Sequence, residues 1–278
     1  MPVSIPKQLS RTRRLILETH SKYNQDNCAM LAAALAFHSF FSIFPLVLFL
    51  IYVGSEVLQT AGVRELLSSG LIRFLPAGGD TISEIISATL DLRGSIGLVG
   101  VVGLVWSASS VFAVLETALN RIWKAKPRGY WRKRLVATGS ILVLSLVFLA
   151  SVTFGQFLPR LLSLIQRPGL QWLGSLASFL GLVLVLTIFY SAFPSRKIPR
   201  RAALSGGLAA GLALLGARAL FDMFINSAFA NYGSVYGSLA WIVSLALWTY
   251  VVATLFLLGA ELGSVLEAEE APLRRAGA

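Results

Sequence analysis

Six long apolar stretches constrain this chain more than any other feature, at about Ala29 to Gly54, Gly94 to Ala118, Leu135 to Leu158, Leu170 to Phe193, Ala202 to Ile225 and Ser238 to Leu262. Each can cross a hydrocarbon core, which takes roughly 20 apolar residues. Inside that core a segment must satisfy its own backbone hydrogen bonds, so stretches of this length read as helices, and the alternation of strands is absent. The expected fold is all-α: a polytopic membrane protein with six transmembrane helices. With 278 residues, 56% of them hydrophobic and 13% charged, the chain leaves no room for a separate soluble domain. The expected organisation is a basic tail over 1–28, a six-span membrane domain over 29–262 and a short tail over 263–278.

The net charge of +11 is distributed by topology. Most of the 24 basic residues fall in the first tail, in the second loop from Arg121 to Arg134, in the fourth loop from Arg196 to Arg201, and at Arg274 and Arg275. The intervening loops carry few. By the positive-inside rule both termini lie in the cytoplasm. Charges beside helix ends do not make the continuous basic surface that nucleic acid requires, so no nucleic-acid partner is expected. The stretch Lys7 to Lys22 reads either as an interfacial amphipathic helix, with Leu9, Ile16 and Leu17 toward lipid, or as a solvated tail. The lone cysteine, Cys28, excludes an internal disulfide and reads as a small apolar residue at the start of the first span. The first outward loop, Ser55 to Arg93, fits two short amphipathic helices broken at Pro76 and Gly78-Gly79.

Polar residues within the spans are few. Arg218 and Asp222 sit four apart, share one helix face and can neutralise each other. Arg218 stands roughly 24 Å along from Ala202, toward the outer side. A lone charge at the bilayer centre costs about 2.5 to 3.5 kcal/mol, which pairing reduces. His38, roughly 14 Å into the first span, is either a hydrogen-bonded packing residue or a proton relay. Glu116, with Asn120 one turn on, and Glu261 fall at cytoplasmic span ends and can pair with the basic loop. Gly103, Ser107, Ser110 and Thr117 lie on nearly one face, which is expected to pack on another span with hydroxyls bonding across. Gly207 and Gly211 form a GxxxG, Pro45 predicts a kink, and Tyr232 and Tyr236 mark the last outward loop, Asn226 to Gly237, as interfacial anchors or pathway residues.

At this point the chain resembles the YihY/BrkB family of bacterial inner-membrane proteins. The marks are Asn24 to Pro45 with Asp26, Ala33, Ala36 and Phe37; Leu119-Asn120-Arg121-Ile122-Trp123; Tyr232 to Tyr236-Gly237-Ser238; and Gly259-Ala260-Glu261-Leu262. His38 stands where many relatives carry tyrosine, which weighs against a histidine relay. The resemblance implies an inner-membrane location. It also brings the label ribonuclease BN and, for some members, links to serum resistance or to export of lipopolysaccharide precursors.

Chemistry speaks against the nuclease label, because the two histidines, His20 and His38, cannot build the His/Asp metal cluster such an enzyme needs. A serine intramembrane protease would require a later histidine, and no phosphate-binding glycine loop is present. No enzymatic activity, metal or cofactor is expected. Two functions remain. One is transport of a lipid, a lipid-linked envelope precursor or a small solute, with Arg218 and Asp222 near an outer mouth and Glu116, Asn120 and Glu261 near an inner one. The other is a non-transporting scaffold for envelope assembly, a homo-oligomer through the GxxxG face. Membrane lipids are partners in either case.

Overall fold

The computed structural model describes residues 11–58, 93–126, 129 and 171–276, and every regular element among them is helical. Helices α1 (Arg11–Gln25), α2 (Cys28–Leu58), α3 (Arg93–Ile122), α4 (Gln171–Ala192) and α5 (Arg200–Ala276) follow one another. The apolar runs expected to be the first, second and fourth spans coincide with α2, α3 and α4, and the fifth and sixth both fall in α5. The third run, Leu135 to Leu158, and the proposed amphipathic helices of the first outward loop lie outside the described residues.

Helix boundaries follow local chemistry. Asn27, with φ of 52°, occupies the left-handed region that asparagine tolerates and most residues avoid. Its carbonyl accepts the amides of Met30 and Leu31 and so starts α2. The same residue ends α1, and the two helices meet at an elbow of 69°. α3 closes with Lys124 at φ 51°, where the Ala125 amide reaches the Asn120 carbonyl at 2.8 Å and the Lys124 amide reaches that of Arg121 at 3.1 Å. That is the paired closure of a Schellman motif. Pro194 follows α4, and Pro199 precedes α5 while its carbonyl accepts the Ala203 amide.

α5 has 77 residues and would exceed 100 Å if straight. Its halves instead lie side by side in opposite directions: Phe221 packs on Trp248 with ring centroids 4.8 Å apart, and Ala202 faces Gly263. The backbone is helical through Asn226 to Gly237, where a loop was expected from Asn231, Gly233 and Gly237. Ala228, Ala230, Leu239 and Ala240 around those residues favour helix, and helical turns carry the chain there.

Packing along this antiparallel pair depends on glycine. A methyl group on Gly206 would lie 2.6 Å from the Gly259 carbonyl oxygen, and one on Gly259 would lie 2.6 Å from the Ala210 methyl. The GxxxG face turns the other way, onto α4: a methyl on Gly207 would meet Thr187 Oγ1 at 2.6 Å, and one on Gly211 would meet Val183 at 3.0 Å. Gly103 of α3 sits against Pro45 of α2, 3.4 Å from where a β-carbon would stand. The close approach of small residues is what lets helices pack where no water is expelled.

The outward faces are greasy. Leu176, Leu180, Leu184 and Ile188 form an exposed stripe on α4, and Leu204, Leu208, Leu212 and Leu215 form one on α5. Continuous apolar surface of this extent calls for a lipid or protein neighbour, and on helices this apolar it agrees with a membrane setting. Intrahelical hydroxyls agree: Thr187 donates to the Val183 carbonyl, Ser205 to Ala202 and Thr249 to Ala246. Ser110 and Thr117 likewise donate to the Trp106 and Ala113 carbonyls of their own helix, one turn back. Among the described residues, Arg200–Ile225 and Ile242–Glu270 are long and apolar enough to cross a membrane, and the bent pair α1 and α2 is a third if taken as one span.

A Gly259→Ala exchange is expected to cost about 1 to 3 kcal/mol through overpacking, whereas Gly181→Ala, whose β-carbon meets nothing within 4 Å, is expected to be neutral or stabilising. Thermal unfolding of both variants in detergent checks the contrast.

Candidate functional site: a buried polar junction at one end of the bundle

All five helices contribute to the end of the molecule where α1 meets α2, α3 and α4 end, and α5 both begins and finishes. A core of Tyr23, Cys28, Leu119, Ile122, Tyr190, Phe193, Leu257 and Ala260 fills it. Set into this core are carboxyl and amide side chains shielded from solvent.

Glu261 is the most enclosed, with no exposed surface. The Cys28 thiol donates to its Oε1 at 3.3 Å, while Oε2 has no hydrogen-bond partner among the described residues. Asp26 and Lys22 of the elbow face the same carboxyl. Glu261, which could pair with the basic second loop, faces the α1–α2 elbow; Arg128 and Arg132 to Arg134 of that loop lie outside the described residues. Cys28, expected to be a simple packing residue, is its hydrogen-bond donor. One turn along, Ser264 accepts a 2.7 Å bond from the Lys22 ammonium and donates to the Ile122 carbonyl at 3.3 Å. A buried carboxyl short of one partner is costly, so its retention calls for a reason.

Asn120 makes the second part of the junction. Its Oδ1 accepts the Ser195 amide at 2.7 Å, and its Nδ2 stands 3.5 Å from Glu116 Oε1, the outer limit of a hydrogen bond. Both side chains are buried. The turn after α4 is thereby fixed to the end of α3. Arg196 strengthens the tie with Nε on the Trp123 carbonyl at 2.9 Å and a two-pronged pair to Glu267 at 2.9 and 2.6 Å. The wholly buried Tyr190 donates to the Phe256 carbonyl at 2.6 Å.

The remaining residues singled out from sequence lie elsewhere. Arg218 and Asp222 approach to 4.0 Å and are half-exposed, roughly 24 and 30 Å along α5 from Ala202, toward the far end of its first half. His38 is half-buried beside the Phe37 ring, about 15 Å along α2 from Cys28. Ser107 lies on α3 and is half-buried. Tyr232 and Tyr236 lie outside the described side chains. The structure therefore gathers Glu116, Asn120 and Glu261 at one end, puts Arg218 and Asp222 at the other, and leaves His38 apart from both. Cys28, Lys22, Tyr190, Ser195 and Arg196 were not foreseen; a cysteine at the mouth of an apolar run carries no local signal of its partner 233 positions away.

Among the described residues no group of three or more His, Cys, Asp or Glu side chains is arranged to hold a metal ion. The chemistry on offer is hydrogen bonding and charge in a low-dielectric setting.

Comparison with known proteins gives a consistent picture. The sequence model of a family described as Virulence factor BrkB matches residues 19–278. A protein of Psychromonas ingrahamii named UPF0761 membrane protein is 27% identical over 92% of this chain and 88% of its own length. Proteins of the same name from Alcanivorax borkumensis and Halorhodospira halophila are 30% and 29% identical, over 87% and 88% of this chain. The chain spans only 57% and 55% of those two relatives. No solved structure matches.

Replacing Asn120 by alanine strands the Ser195 amide and is expected to cost about 1 to 3 kcal/mol. Asn120→Asp keeps the acceptor oxygen but sets a second carboxyl beside the buried Glu116, and is expected to lose at least as much. Unfolding temperatures in detergent measure both.

Proposed function

Because the chain belongs to the BrkB family of membrane proteins, we propose that it is a six-span protein of the bacterial inner membrane, termini in the cytoplasm, that moves a lipid, lipid-linked envelope precursor or small solute across the bilayer. The observation that carries the reading is Glu261: a carboxyl with no solvent exposure, facing Cys28, Asp26 and Lys22, inside an apolar helix. Ionisable groups in such positions are expensive and mark pathways more often than packing. In this reading Glu261, Glu116 and Asn120 bound the cytoplasmic mouth, and Arg218 with Asp222 bounds the outer one. No enzymatic step and no cofactor take part.

The scaffold alternative relied on a free small-residue face for a second copy of the chain. Gly207 and Gly211 are covered by Val183 and Thr187 of α4, so an oligomer would have to use another surface. That removes one support for the scaffold reading.

The test is reconstitution of the full chain in liposomes, with fluorescent-lipid translocation and solute efflux measured in parallel. Wild type is expected to exceed protein-free vesicles in at least one assay. Glu261→Gln and Arg218→Ala are each expected to lower that rate about tenfold, about 1.4 kcal/mol in barrier. Wild-type rates equal to those of empty vesicles in every assay would overturn the proposal.

A further inference from the structure

α1 turns an unusual stripe outward. Arg13, Ile16, Leu17 and His20, at i, i+3, i+4 and i+7, are all exposed, while Thr19 and Tyr23, which flank this stripe on one side, are buried against the bundle. Ile16 is 63% exposed and Leu17 41%. The helix is held in place: Arg14 reaches Glu269 at 2.6 Å, Arg11 reaches the same carboxylate at 3.1 Å, and Lys22 bonds Ser264. A helix turned 69° from one that enters a membrane runs near the membrane surface.

The same end of the molecule has an excess of positive charge that its own acids do not neutralise. Glu269 is taken by Arg11 and Arg14, Glu267 by Arg196, and Glu18 by Arg14. Arg13, Lys124, Lys126, Lys197, Arg200 and Arg201 are exposed and make no ion pair among the described residues. The contacts of Arg196 with Trp123 and Glu267 hold the loops bearing most of these cations at the end where α1 lies.

We propose that this end is a docking surface for an anionic phospholipid leaflet, with α1 lying in the headgroup layer, Ile16 and Leu17 entering the acyl boundary and the unpaired cations meeting lipid phosphates. Charge complementarity selects the occupant. Two apolar side chains among cations are too few for a protein-binding groove, yet they match an interfacial helix over negative lipid. The inference stands apart from the transport reading, since a scaffold could use the same surface.

The full-length protein carrying Leu17→Cys, spin-labelled there with the buried Cys28 left in place, tests it in nanodiscs of phosphatidylcholine with and without phosphatidylglycerol. Oxygen is expected to relax the label more strongly than a water-soluble nickel chelate in the phosphatidylglycerol discs. Relaxation dominated by the chelate in both discs, or shielding from both reagents, would overturn the proposal. Independently, a variant combining Arg13→Gln, Lys124→Gln and Lys126→Gln is expected to reduce the enrichment of phosphatidylglycerol over phosphatidylcholine in lipid retained by the protein by roughly fivefold or more. Unchanged enrichment would contradict it.

Discussion

Hydrocarbon offers no hydrogen bonds, and this one deficiency shapes what is seen. Backbone groups close within helices, and serine and threonine hydroxyls return to carbonyls one turn back. With no water to expel between spans, helices are held by close contact, which explains why Gly206, Gly259 and Gly263 line the crossing of the two halves of α5. The leucine stripes of α4 and α5 are left facing outward for the same reason.

Against that apolar background the polar junction carries unusual weight. In a low-dielectric setting each hydrogen bond is strong when made and costly when absent. Asn120, Arg196, Tyr190 and Glu261 tie together segments far apart in the chain, so the end where the five helices meet is cross-linked by side chains. The Arg218–Asp222 pair at the other end is half-exposed, long at 4.0 Å, and does not bridge helices. The two ends thus differ in kind: one is a junction of buried polar groups, the other carries a half-exposed charge pair within a single helix.

Much of this was legible in the amino-acid sequence. The apolar runs located α2, α3, α4 and both halves of α5, because length and hydropathy are properties of a segment alone. The four-residue spacing of Arg218 and Asp222 was enough to pair them. What stayed hidden were partners. Periodicity says which face of α5 is small, but not that Gly207 meets Thr187 while its neighbour Gly206 meets Gly259. Nor does it say that Cys28 reaches Glu261, or that the amide of Ser195 caps on Asn120. The elbow at Asn27 was similarly obscure, since a single left-handed residue between two helical patterns leaves only a polar tripeptide as its trace.

The account rests on which surfaces meet lipid, and cysteine accessibility in whole cells tests that most directly. A cysteine at Leu184 or Leu212 should stay unlabelled by a membrane-impermeant maleimide before and after permeabilisation, whereas one at Ala268 should react only once the cells are opened. Labelling of Leu184 or Leu212 in intact cells would contradict the assignment of the leucine stripes to the bilayer, and labelling of Ala268 there would reverse the inside and outside of the molecule.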